Sequence, residues 1–461
     1  MGYSDPSGRD LLGNRSLCFI FICAFGLVTL LQQILYGKNY IKREMRQDQI
    51  FTYTLSGMKT SGQQFSRVKG DETANWTGPV NFSDDGSLKP ARNGKKRCVR
   101  QNFQRQSESQ NSVIITPCLA DIQKKKKRNQ RYLEMYDGSY EFNSTTCKEF
   151  RQEIMDVKVL TMVKTADLFD RWRNLQICKW EQSKAETNAF KSSLSHCCNA
   201  PSFLFTTKRN TPSGTKLRYE VDTSGILHIS SEIFKMFPDD MPYTKSQFKK
   251  CAVIGNGGII KNSKCGKEID SADFVFRCNI PPISDKYAED VGYKTDIVTI
   301  NPSIITERFQ KLEKWRKPFY EVLQNYENSS VVLPAFYNTR NTDVSFRVKY
   351  MLDDFDSQKG VYFFHPQYLL NVQRFWSLQG VRAKRLSSGL MLVTAAMELC
   401  EEVHLYGFWA FPMNPAGIFI THHYYDNVKP RPGFHAMPHE IFNFLHLHSR
   451  GILHVHTNPC R

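Results

Sequence analysis

Hydrophobic positions fall into three regimes along the chain. Residues 17–31 form one unbroken apolar run, LCFIFICAFGLVTLL, which Ile34, Leu35 and Tyr36 extend. About twenty helical residues rise about 30 Å, the depth of a bilayer core. From 60 to 130 the chain is rich in Gly, Ser, Asn, Gln and Lys and sustains no period of two or 3.6. Periodicity returns near residue 151, where Ile154, Val157, Leu160, Met162 and Leu168 carry helical spacing through 151–182. Beyond that, short apolar runs alternate with helical patterns. Strands are predicted at 251–254, 273–278, 296–300, 330–333, 361–364, 403–407 and 452–456, helices at 259–269 and 390–400, and a tight turn at 255–258. No internal repeat is present. Such alternation predicts an α/β fold with a mostly parallel sheet flanked by helices and its ligand at the carboxyl ends of the strands.

Composition sharpens this division. Hydrophobic residues make up 41% and aromatics 13% of 461 positions, which excludes wholesale disorder. Lys and Arg number 62 against 45 Asp and Glu, a formal charge of +17. Spread over a folded face, that excess would suggest nucleic acid. Residues 59–131 alone hold 16 basic against 6 acidic residues, so the excess sits largely in a tether-like segment and no nucleic-acid partner is expected. The chain divides into a cytosolic tail (1–16), a transmembrane signal-anchor (17–36), a stem (37–150) and a folded domain (151–461).

A cleaved signal peptide would have a shorter apolar region followed by small residues; Gln32 and Gln33 lead instead into Ile34, Leu35 and Tyr36, favouring a retained anchor. The modest length of the span suits a thin early-secretory or Golgi bilayer. Local charge opposes a cytosolic N-terminus, because Lys38, Lys42, Arg43 and Arg46 outnumber Arg9 and Arg15. Four N-glycosylation acceptors, Asn75, Asn81, Asn143 and Asn328, and eleven of the 13 cysteines follow the span and place the large body in an oxidising lumen. A single-pass type II protein is expected.

Four elements carry candidate chemistry. Gly255-Asn256-Gly257-Gly258 lies between a strand and a predicted helix, where glycine lets amides approach a phosphate; taken alone it reads by default as a plain tight turn, and the dinucleotide fingerprint fails at Ile260. Ser387-Ser388-Gly389 precedes an apolar helix, so a serine can cap it while free amides face an anion. His422 and His423 precede Tyr424, Tyr425 and Asp426, and His435 stands five residues before Glu440. Neither H-E-x-x-H nor C-x-x-C occurs, so no metal is expected at these histidines. An imidazole with an ordinary pKa near 6.5 suits the removal of a hydroxyl proton near neutral pH.

In this order the four elements resemble the motifs of eukaryotic sialyltransferases. Residues 251–282 are similar to their large motif, 365–411 to the small motif, 423–426 to the third, and His435 with Glu440 to the very small motif. Within the family the chain most resembles the α2,8 branch, particularly the ganglioside-acting type V group. The resemblance implies a Rossmann-like sialyltransferase fold, a GT-A variant. It further implies CMP-sialic acid as donor, no cofactor, and a sialylated glycolipid as acceptor. Asn256 and Asn279 match residues that hold nucleotide and phosphate; Ser387, Ser388 and Gly389 match donor contacts; Trp409 matches an aromatic at the cytidine. His423 matches a histidine that steadies the leaving phosphate, and His435 the general base, with Glu440 orienting its imidazole or supporting its loop. Cys251 with Cys400 and Cys265 with Cys460 match the family's two disulfides. Pairing of Cys98, Cys118, Cys147, Cys178, Cys197, Cys198 and Cys278 stays open, as does the oligomeric state. Two further readings keep the fold: an enzyme acting on glycoproteins, and a non-catalytic lumenal glycan-binding protein. The second would be marked by loss of Asn256, His423 or His435, and all three are present.

Overall fold

A computed structural model describes residues 142–460, apart from 223–224, 244–246, 328 and 429–434. The expected tail, anchor and most of the stem lie outside the described residues, as do Asn75, Asn81 and Asn328. Within the described residues no helix is long and apolar enough to cross a membrane.

Among the described residues, nine strands form two sheets. A two-stranded antiparallel hairpin joins β1 (Lys216–Arg218) to β2 (Ile226–His228). The main sheet has seven strands: β3 (Phe248–Ile254), β4 (Phe274–Arg277), β5 (Ile297–Thr299), β6 (Ser330–Leu333), β7 (Val361–Phe363), β8 (Cys400–Tyr406) and β9 (His454–His456). They lie in the order β7-β6-β5-β4-β3-β8-β9, and every adjacent pair is parallel. Each predicted strand is present. Their apolar runs do not alternate with polar residues because helices cover both faces of the sheet. Alternate side chains serve opposite cores: Cys251 and Val253 join one cluster, Ala252 and Ile254 the other.

The first cluster packs beneath α1 (Ser144–Met155), α2 (Thr165–Leu175), α3 (Lys184–Cys197), α5 (Pro366–Leu378), α6 (Ser388–Leu399) and α7 (Met437–Ser449). The second lies under α4 (Thr339–Asp354) and shorter helices such as Arg316–Gln324. Helix α6 is buried from Gly389 to Leu399, which explains its almost uninterrupted apolar sequence. Caps set the helix starts: Asn143 Oδ1 accepts from Thr146 N at 2.8 Å, and Ser387 Oγ accepts from Leu390 N at 3.0 Å. The Asn143 carbonyl oxygen thus caps α1 while the residue remains exposed.

Two predicted helices are corrected. In place of one helix over 259–269 there is a 3₁₀ turn at Gly258–Ile260 and a short helix at Gly266–Asp270. Asn262 and Lys264 between them adopt φ of 62° and 56°, and the Asp290 carboxylate accepts both their amides at 2.8 and 3.0 Å. A remote carboxylate therefore replaces the intrahelical acceptors. The pattern over 151–182 likewise breaks into α1, a turn at Leu160–Met162, and α2; Met162 is 72% exposed although its spacing predicts burial.

Cys251–Cys400 and Cys265–Cys460 are bonded as the resemblance implies. The first ties β3 to the start of β8, and the second fastens the C-terminus to the loop after β3. Of the pairings left open, Cys147 joins Cys178 and Cys197 joins Cys198, while Cys278 keeps a buried thiol.

Candidate active site

Strand order reverses beside β3: successive strands step away from it through β4 to β7, then β8 and β9 lie on its other side. Crevices at such switch points, beyond the carboxyl ends of the strands, hold ligands. Here the loops after β3 and β8 meet. Gly255 N donates to Tyr406 O at 2.7 Å, Gly257 N to Gly407 O at 2.9 Å, and Gly258 N to His422 O at 3.2 Å. Added Cβ atoms at Gly255, Gly257 and Gly258 would lie 2.8, 2.6 and 2.2 Å from carbonyl oxygens of Gly407 and Thr421. These glycines therefore allow backbones to touch. The reading in which their amides cradle a phosphate is corrected, since all three are already bonded to carbonyls.

Polar side chains in and around this loop supply the remaining groups. Asn256 donates through Nδ2 to Cys278 O at 2.8 Å, and its backbone carbonyl accepts from Tyr424 N at 3.0 Å. Asn279 holds a left-handed φ of 64°, its amide donates to Thr299 Oγ1 at 3.0 Å, and its Nδ2 reaches Ser388 Oγ at 3.5 Å. Both side-chain carbonyl oxygens are buried without a hydrogen-bond partner among the described residues. Buried polar atoms are normally hydrogen-bonded, so these two oxygens are open to a donor from water or from a ligand. Asn279 thus links the β4 end to the N-terminus of α6, where the macrodipole favours negative charge. Gly389 packs against Phe408, whose ring a Cβ would approach to 2.8 Å.

His435 and Glu440 grip one strap. His435 Nδ1 lies 2.8 Å from the Arg385 carbonyl, so the ring donates there and Nε2 keeps its lone pair. Burial, with a smaller contribution from the Arg385 charge, holds this imidazole below its ordinary pKa against the opposing pull of the carbonyl hydrogen bond. Glu440 is 2% exposed in the first turn of α7. Its carboxylate accepts Ser387 N at 3.0 Å and the Ser387 hydroxyl by a short contact. Burial raises its pKa, and the Ser387 bonds oppose that rise. The carboxylate therefore supports the loop at Ser387. The alternative in which it orients the His435 imidazole is not observed: the Arg385 carbonyl takes the ring nitrogen.

His423 is held on the other side. Its Nδ1 lies 2.7 Å from Asp426 Oδ1, its ring stacks on Tyr425 with centroids 5.1 Å apart, and its backbone bridges Gly257. Trp409 follows β8 but is 5% exposed, packed against Phe169 and Phe411, with Nε1 donated to Met413 O at 2.7 Å. Its ring thus lies in the core beneath the loop. Sequence reasoning missed Arg385 and Glu220, a buried ion pair at 3.1 Å in which Arg385 also sits 4.2 Å over the Tyr337 ring. Arg385 lies two residues before Ser387, the only local signal; Glu220 has none. Among the described residues, the groups spaced to hold a metal involve neither His423 nor His435.

Comparison with known proteins identifies the family. The family described as glycosyltransferase family 29 (sialyltransferase) matches residues 205–452. Alpha-2,8-sialyltransferase 8E of Mus musculus is 63% identical over 461 residues, covering 100% of this chain and 99% of the relative. Its Homo sapiens counterpart is 61% identical with the same coverage. A crystal structure of a mammalian sialyltransferase aligns at 25% identity over 46% of this chain and 70% of that one, with a TM-score of 0.33. The chain belongs to glycosyltransferase family 29, the sialyltransferases.

Proposed function

We propose that the protein transfers sialic acid from CMP-sialic acid to the 8-hydroxyl of a terminal sialic acid on a glycolipid, forming an α2,8 linkage with inversion and without a metal. The observation that carries this reading is the double grip of His435 and Glu440 on residues 385–387, which sets a base beside the N-terminus of α6. Relatives named alpha-2,8-sialyltransferase, matching over the full length, support the linkage. His435 Nε2 accepts the proton of the attacking 8-hydroxyl while the anomeric carbon–oxygen bond to CMP breaks. Charge grows on the leaving phosphate, where the α6 dipole, the Ser388 hydroxyl and the His423 ring, held by Asp426, stabilise it. One displacement inverts the centre, so no protein nucleophile is required.

The apolar run at 17–36 suits a Golgi membrane anchor with the catalytic domain in the lumen. The test uses the full-length chain in detergent, CMP-sialic acid and a chelator, with mono-, di- and trisialylated gangliosides beside a sialylated glycoprotein. Transfer to the lipids, lost in His435→Ala, is expected. Transfer confined to the glycoprotein would replace the acceptor, and donor binding without turnover on any acceptor would replace the enzyme by a glycan-binding protein.

A further inference from the structure

We infer that His404, His454, His456 and Glu268 form a zinc-class metal site at the β8–β9 edge of the sheet, apart from the switch-point cleft. His404 on β8 pairs directly with His454 on β9, and Tyr406 with His456. Direct partners and residues two apart share a face, so the three imidazoles project together. The short helix Gly266–Asp270 brings Glu268 over the same face.

The donor atoms have the spacing a tetrahedral ion needs. His404 Nδ1 and His456 Nε2 are 2.8 Å apart, and Glu268 Oε1 is 3.8 Å from each. Tetrahedral zinc with bonds near 2.0–2.1 Å sets its ligands about 3.4 Å apart. The triangle thus closes on an ion after movements of about half an ångström, as expected from bond lengths near 2 Å. His454 adds a third imidazole, its donor nitrogen lying within 4.8 Å of those of His404 and His456. Three imidazoles and a carboxylate suit zinc, and suit calcium or magnesium poorly.

A supporting shell is present. The second nitrogen of His404 meets the Glu402 carboxylate in a short contact. A carboxylate on the distal nitrogen fixes which nitrogen faces an ion and recurs behind metal-bound histidines. Glu268 is fixed by Tyr406 Oη at 2.8 Å and by Lys250 Nζ at 3.4 Å. Trp180 stacks flat on His454 at 4.8 Å. A cavity of about 260 Å³, lined in part by Trp180, Glu268, His454, His456 and Cys460, provides the way in. With no metal bound, one ring donates a proton to the other between His404 Nδ1 and His456 Nε2. Binding moves the His456 proton to Nδ1, so no net oxidation or proton loss is needed. The ion would clamp β8, β9 and the Gly266–Asp270 helix beside the Cys265–Cys460 bond, as a structural site.

The full-length chain in detergent is stripped with chelator and titrated with ZnCl2 by calorimetry, and separately with CoCl2 by visible absorption. One equivalent of zinc, strong tetrahedral cobalt bands and a zinc-dependent rise in Tm are expected. Zinc affinity should fall at least tenfold in His456→Gln and Glu268→Gln, and about 10–100-fold in Glu402→Gln, whose carboxylate only orients a ligand. His423→Ala should bind as wild type. Absence of stoichiometric binding, or binding that survives both His456→Gln and Glu268→Gln, overturns the site and leaves a hydrogen-bonded histidine stack. Should either variant unfold when metal-free, the wild-type cobalt spectrum decides alone: pale octahedral bands refute the inference.

Discussion

Glu440→Gln tests whether this carboxylate acts on Ser387, as the geometry states, or on the His435 imidazole. The substitution keeps shape and volume but changes one oxygen into a donor. Ser387 N still finds an acceptor, whereas the Ser387 hydroxyl, which already accepts Leu390 N, faces an NH2 group and loses its own acceptor. Hydrogen bonds to charged groups contribute about 1.5–3 kcal/mol each, and an unsatisfied buried group costs about 1–3. Because Ser387 is only half-buried, water recovers part of that, and a net loss of about 2–3 kcal/mol is expected. If the misplaced strap weakens the transition state by that amount, kcat falls about 30–150-fold. The assay is initial transfer rate against pH for wild type, Glu440→Gln, Ser387→Ala and the double variant. Since the carboxylate does not touch the imidazole, the acidic limb of kcat/KM should keep its position in Glu440→Gln while kcat drops. The double variant should be no worse than the poorer single one, because both remove the same contact. A displaced acidic limb, or losses that simply add, would refute the reasoning.

Four further outcomes follow from the same geometry. Burial lowers the His435 pKa in the folded protein, so its neutral, proton-accepting form persists below pH 6.5; the acidic limb of kcat/KM should lie below that value, and a limb above it would contradict the assignment. By linkage, the unfolded chain binds this proton more readily, so the stability His435 contributes is present above the ordinary histidine pKa and is lost as pH falls from there through its lower folded value, which a urea midpoint series at two pH values detects. Replacing Cys251 and Cys400 together by Ser opens a loop of 149 residues, and chain entropy puts the cost at up to about 5 kcal/mol, read as a lower urea midpoint; an unchanged midpoint would show that the bond holds nothing. Gly407→Ala combines φ of 73° with a Cβ placed 2.1 Å from Gly255 O and should destabilise by more than the roughly 1–2 kcal/mol of the left-handed conformation alone, which Gly214→Ala, at φ of 86° with nothing within 4 Å, measures as a control.

Much of the sheet was legible because a strand buried on both faces writes itself as a short unbroken apolar run, as in Val331, Val332 and Leu333. The helix expected over 259–269 was not, since what stops it is Asp290, which lies 28 residues beyond Asn262 and has no signature near it. Site residues split along the same line. The glycines at 255, 257 and 258 mark a turn, yet the carbonyls that require them come from 406, 407 and 421–422, and only the strand order brings those near. His435 and Glu440 stand close in sequence, which invites pairing them with each other.

The fold instead sends both to one distant strap. Glu440 reaches Ser387 across 53 residues and His435 reaches Arg385 across 50, so the two act in parallel on either side of Leu386. Leu386 is 1% exposed and anchors the strap in the core, and Glu220 fastens it again through Arg385 from 165 residues away. A base gains rate only when its lone pair is aimed within hydrogen-bond reach of the proton it takes, and a dipole only when it is already directed at the developing charge. Fixing the imidazole to the residue that leads into the α6 cap makes those two conditions one. On the proposed mechanism, any shift of the strap moves His435 and the N-terminus of α6 together, so the loss in a strap variant should appear in kcat while the acidic limb stays in place.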